Sequence, residues 1–83
     1  PNPFNPMTTI SFVIKEPQKI NLSVFNINGL LIKELINDFT PSGVHSIHWR
    51  GLDRNGIIVP SGVYVYKISS SKKSIQKKMV FAK

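Results

Sequence analysis

Apolar and polar residues alternate with a period of two along most of this chain. Ile10, Phe12 and Ile14 fall on one side with Ser11 and Val13 between them, and Ile20, Leu22 and Val24 repeat the pattern with Asn21, Ser23 and Phe25. Successive side chains of a strand point to opposite faces, so each stretch reads as a β-strand with one strongly apolar face. Lys15 to Lys19 is a polar turn between them. Asn28-Gly29 predicts a two-residue hairpin turn of type I′, in which both central residues take positive φ, leading into a third strand over Leu30 to Ile36. A helix over Leu30 to Phe39 is the competing reading, and the Asn-Gly ahead of it favours a strand.

Asn37 to Gly43 reads as a connection. A fourth strand follows with Ile47 and Trp49 on one face and His48 on the other. Gly51 to Gly56 is a turn cluster, and Ile57 to Val59 reads as a short edge strand stopped by Pro60. After a turn at Ser61-Gly62, Tyr64, Tyr66 and Ile68 share a face. Ser69 to Ser74 forms a polar tip, and Ile75, Lys77, Met79 and Phe81 alternate with Gln76, Lys78, Val80 and Ala82 in a last strand. About seven short strands with regularly spaced turns and no helical periodicity predict an all-β fold, an immunoglobulin-like antiparallel β-sandwich. No internal repeat is read. The three prolines at positions 1, 3 and 6 mark an extended, proline-rich lead-in over 1–8, ahead of a single domain over 9–83.

Composition narrows the function classes. With 83 residues, 41% of them hydrophobic, the chain can fill one core and not two. It contains no cysteine, which excludes a disulfide framework and thiolate metal sites. Eleven Lys or Arg against four acids give a net charge of +7, a surface that attracts nucleic acid, anionic lipid or an acidic protein. No stretch approaches the roughly 18 apolar residues of a membrane span. The first residues have neither the charged nor the apolar region of a signal peptide, and there is no initiator Met, so the chain reads as a piece of a longer protein.

Candidate chemistry is sparse. Glu16 and Glu34 stand beside lysines on expected surface, and Asp38 sits in the connection without a partner, so no pair of acids is set to converge on a cleft. His45 and His48, three apart on a strand, point to opposite faces and cannot chelate one metal together. No Gly-x-Ser-x-Gly motif surrounds any serine. Gly51-Leu52-Asp53-Arg54-Asn55-Gly56 faintly resembles a calcium loop, but the further oxygen ligands and distal Glu are absent. The favoured reading has Asp53 accepting hydrogen bonds from its own turn. Trp49 could stack on a sugar or a base, and the favoured reading packs it between two sheets. The basic residues gather late, at Lys72, Lys73, Lys77, Lys78 and Lys83, while Tyr64 and Tyr66 share the apolar face with Ile68. A nucleic-acid binder would display those aromatics, so that class is disfavoured. The residues read as a non-enzymatic module with no cofactor.

From end to end the chain resembles the C-terminal sorting domain of the type IX secretion system, type A, and is similar to the immunoglobulin-like domain of flagellar hook-capping proteins. The matching stretches are Pro1-Asn2-Pro3-Phe4-Asn5-Pro6 with Thr8-Thr9-Ile10, then Val24 to Gly29, Ser42 to His45, Trp49 to Gly56, Ser61-Gly62-Val63-Tyr64, and Lys78-Met79-Val80-Phe81-Ala82-Lys83. Arg50 departs from the pattern, since the family more often has an acid after the tryptophan. The resemblance implies a module at the C-terminus of a secreted or cell-surface cargo, recognised at the outer membrane after passage through the periplasm. It is commonly cleaved off, sometimes with attachment of the cargo to lipopolysaccharide. The expected partners are the type IX machinery and an upstream cargo domain, with no nucleic acid and no transmembrane segment. The expected recognition residues are Gly62 and Tyr64 of the Gly-x-Tyr motif and Lys77, Lys78, Met79, Val80, Phe81 and Lys83 of the last strand. For the inward alternates among Met79, Val80 and Phe81, the favoured reading is that they only close the core. That strand is expected at a sheet edge, open to strand addition. The competing function is a structural or carbohydrate-binding accessory domain of an extracellular enzyme, which needs Trp49 or the Tyr64/Tyr66 pair open to solvent.

Overall fold

The computed structural model describes residues 6–83. Residues 1–5 of the proline-rich lead-in lie outside the described residues, and regular structure begins at Thr8. Six strands follow: β1 (Thr8–Ile14), β2 (Gln18–Asn26), β3 (Leu31–Thr40), β4 (Gly43–Trp49), β5 (Gly62–Ser69) and β6 (Ser74–Phe81). They form two antiparallel sheets, β1-β4 and β3-β2-β5-β6. Ile10, Leu22, Val24, Trp49, Val59, Tyr64, Met79 and Phe81 make the core between them. The period-two reading of Ile10/Phe12/Ile14 and Ile20/Leu22/Val24 thus gives the inner faces of β1 and β2.

Three expectations are corrected. The strand over Ile57 to Val59 is a single bridge between Leu52 and Ile58, so the sandwich has six strands and not seven. Val59 is nevertheless buried, its N–H donating to Gly51 O at 2.8 Å. Pro60 has no N–H to extend the ladder. Second, β3 continues through Asn37 to Thr40, which had read as a connection. The stretch tolerates the polar Asn37 and Asp38 because both are exposed along an edge strand.

Third, the β2–β3 hairpin is shifted by one residue from the type I′ turn. Only Gly29 has positive φ (85°), while Ile27 and Asn28 do not. Gly29 N–H donates to Asn26 O and Asn26 N–H to Leu30 O, both at 3.0 Å. This is the three-residue loop in which a glycine in the left-handed region follows the turn as a bulge. Asn26 Oδ1 accepts from the N–H groups of Asn28 and Leu30, each at 2.9 Å. Asp53 repeats the arrangement, with Oδ1 accepting from Asn55 and Ile57, Gly56 N–H donating to Asp53 O, and Asp53 N–H to Ile57 O. Asn26-Ile27-Asn28-Gly29-Leu30 and Asp53-Arg54-Asn55-Gly56-Ile57 are therefore two copies of one side-chain-capped loop, and the second is tied to β3 where Arg54 N–H donates to Ile32 O at 2.9 Å.

Candidate functional site

Trp49 lies at one end of the sandwich, 2% exposed, with its Nε1 donating to Leu52 O at 3.0 Å. The rings of Tyr64 and Phe81 pack on it, with centroids at 5.2 and 5.3 Å. Tyr64 Oη donates to Pro60 O at 2.7 Å. These bonds hold both ends of the 50–60 loop against the core, which aligns Gly62 opposite Phe81 at the start of the β5–β6 ladder. Gly51 closes the cluster. Its φ is +77°, and a Cβ there would sit 2.0 Å from Phe81 Cζ, so the backbone conformation and the space both require glycine.

β6 pairs with β5 alone, so its other edge is unpaired among the described residues. Alternation along it sorts the expected recognition residues. Met79 and Phe81 point into the core, as does Tyr64 across the ladder. Lys78 and Val80 point outward, Val80 being 68% exposed. Directly opposite residues share a face. Lys78 therefore lies beside Val65 and, through it, Phe25 of β2, while Val80 lies beside Val63. The outward face of β6 thus continues into a strip of Val63, Val65 and Phe25, with Lys67 beside Gln76 further along. Lys77 is opposite Tyr66 on the inward side yet exposed, and Lys83 is tied by its backbone N–H to Ser61 Oγ at 3.1 Å. Sequence reasoning missed the β2–β5 part of this strip. The outward parity of Phe25, Val63 and Val65 was the available signal, but only the β2-β5-β6 order joins them.

The other polar candidates are spent on structure. His45 stacks on Phe12 with centroids at 5.3 Å, and its Nε2 donates to Pro41 O at 2.7 Å. His48, on the opposite face, lies 3.0 Å from Thr9 Oγ1 through Nδ1. Glu34 accepts from Asn21 Nδ2, and Asp38 Oδ1 accepts from Phe39 N–H. Asp53 Oδ1 is occupied by its own loop, which accounts for the calcium-like spacing without an ion. With Trp49 and Tyr64 buried and Tyr66 packed against the core, the aromatic platform required for sugar stacking is not formed. Among the described residues no helix is long and apolar enough to cross a membrane.

The sandwich is similar to solved structures of FlgD. That of P. aeruginosa is 19% identical with a TM-score of 0.70, the match covering 90% of this chain and 60% of that one. FlgD of Xanthomonas campestris, whose structure is described as giving insights into the hook capping essential for flagellar assembly, is also 19% identical with a TM-score of 0.69, over 93% and 56% of the two chains. The chain thus spans less than two thirds of the FlgD chains it matches, and the likeness establishes the fold. No curated protein matches the sequence. The family model described as "Secretion system C-terminal sorting domain" matches residues 1–82. The chain belongs to that family and is a C-terminal sorting domain of type IX secretion.

Proposed function

We propose that this domain is read by the type IX machinery at the outer membrane through the outward face of β6, Lys78 and Val80, and the adjoining Val63, Val65 and Phe25. An upstream cargo in the same chain, joined through the lead-in over 1–8 to the folded unit over 9–83, passes through the periplasm and is delivered outside the cell or onto its surface. The module is non-enzymatic and uses no cofactor.

The observation that carries this reading is the division of labour along β6. Met79 and Phe81 fasten the strand to the core, so that a strand with one edge unpaired among the described residues presents Lys78 and Val80 at a fixed position. A rigid edge with an apolar strip and neighbouring cations suits strand addition guided by electrostatic steering. Gly62, Tyr64, Met79 and Phe81 then act on recognition indirectly, by holding β6 in place, and Lys77 and Lys83 add positive charge beside it.

The test is gain of function. A periplasmic passenger fused ahead of Pro1 should appear outside a type IX-competent host, while the unfused passenger stays in the periplasm. Retention of the folded fusion would overturn the proposal. Deleting Lys78 to Lys83 should also block export, but by removing two core residues, Met79 and Phe81. Point changes on the outward face are therefore the sharper instrument.

A further inference from the structure

At the end of the sandwich away from Trp49 the two sheets part. A two-stranded sheet cannot cover four strands, and the inward side of β5 and β6 is left partly open there. Ile75 shares its side of β6 with Met79 and Phe81 yet is 55% exposed, and Phe12, Tyr66 and Ile68 are only half-buried. They line an open groove of about 650 Å³ bounded by β1 and the turn after it on one side and by β5, β6 and the 69–73 tip on the other. No β4 residue lines it, so the groove runs along the edge of β1 that β4 does not pair.

Charge on the rim is predominantly positive. Lys15, Lys72, Lys73 and Lys77 surround the groove, with Glu16 the single acid. The tip that carries two of these lysines is ordered by Ser70, whose Oγ accepts from the N–H groups of Lys72 and Lys73 at 3.2 Å and whose N–H donates to Lys73 O. The floor is apolar, the wall is an unpaired strand edge, and the rim is cationic.

We infer that this groove docks an extended segment of an acidic protein partner, which joins β1 as a third strand. Its alternate apolar side chains cover Tyr66, Ile68 and Ile75, and the carboxylates on its other face lie toward Lys15 and the tip lysines Lys72 and Lys73, with Lys77 adding to the positive field. Main-chain pairing supplies affinity and the alternation supplies register. A second copy of this chain fits poorly, because the acids of its strands are confined to Glu34 and Asp38 of β3 and each copy carries +7. The site is separate from the outward face of β6, so the two proposals fail independently.

The test uses the full 83-residue chain and a labelled nine-residue peptide alternating valine or isoleucine with glutamate. Fluorescence anisotropy should show binding at least tenfold tighter than for the same peptide with lysine in place of glutamate, and for an all-glutamate peptide. Ile75→Glu, at an exposed position, and the pair Lys72→Glu/Lys73→Glu should each weaken binding at least tenfold with Trp49 emission unchanged. Lys78→Glu/Val80→Ser should leave it intact. Hydrogen exchange should show new protection of β1 amides. Equal affinity for the all-glutamate peptide, indifference to Ile75→Glu, or unprotected β1 amides would overturn the inference. So would a dimer in sedimentation that Ile75→Glu dissociates, since the groove would then belong to a second copy.

Discussion

Gly51→Ala should be among the most damaging single-methyl changes in this domain, and its magnitude can be worked from two separable causes. An L-residue held at the φ of +77° seen here costs about 1–2 kcal/mol in backbone strain. The added Cβ would lie 2.0 Å from Phe81 Cζ, inside the aromatic cluster with Trp49, and such overpacking costs about 1–3 kcal/mol. Together they give about 2–5 kcal/mol, a large part of the stability of a domain this small. At about 4–8 °C per kcal/mol for 60–100 residues, Tm should fall by roughly 8–40 °C. Thermal unfolding followed through Trp49, the only tryptophan, reads this directly. Phe81→Leu retracts the ring from Gly51, so in that background Gly51→Ala should cost only the backbone share of about 1–2 kcal/mol. The same loss in both backgrounds would refute the close-approach reasoning.

Other consequences follow from the same geometry. Trp49 emission should be blue-shifted, poorly quenched by acrylamide and unchanged by polysaccharides; a red-shifted or sugar-sensitive spectrum would contradict its burial. Asp53→Ala and Asn26→Ala each strip an oxygen from two backbone N–H groups, so urea unfolding should show similar losses of about 1–2 kcal/mol. If Asp53 serves only its loop, millimolar calcium should leave Tm unmoved, and a calcium-dependent rise would restore the ion-site reading. Phe81→Ala empties a 1%-exposed position and should cost about 3–5 kcal/mol by urea unfolding, while Val80→Ser, on the outward face, should cost under 1 kcal/mol.

The sequence revealed the inward faces well, because period-two alternation is the direct consequence of a strand with one wet side. Ile10, Leu22, Val24, Trp49, Tyr64, Met79 and Phe81 were all legible in this way. The misreadings arose where local pattern and tertiary pairing part company. Ile57 to Val59 has strand composition, but only Ile58 finds a bridging partner. Asn28-Gly29 is a hairpin signal whose register was decided by Asn26, whose side chain caps the loop. In β3, register shifts opposite Leu22/Ser23 and Val24/Phe25 break strict alternation, and Ile32, Leu35 and Ile36 all pack against the core. Ile75 has the parity of Phe81 yet is open to solvent, because no strand lies over it. The outward strip from Phe25 to Val80 crosses three strands far apart in sequence, so neither period nor motif could join it before the sheet order was known.

Cell fractionation of a passenger fused to matched variants tests the central claim most directly. Lys78→Glu/Val80→Ser should keep the wild-type Tm within a few degrees and yet leave the passenger in the periplasm. A wild-type level of export from that folded double variant would contradict the assignment of recognition to the outward face of β6.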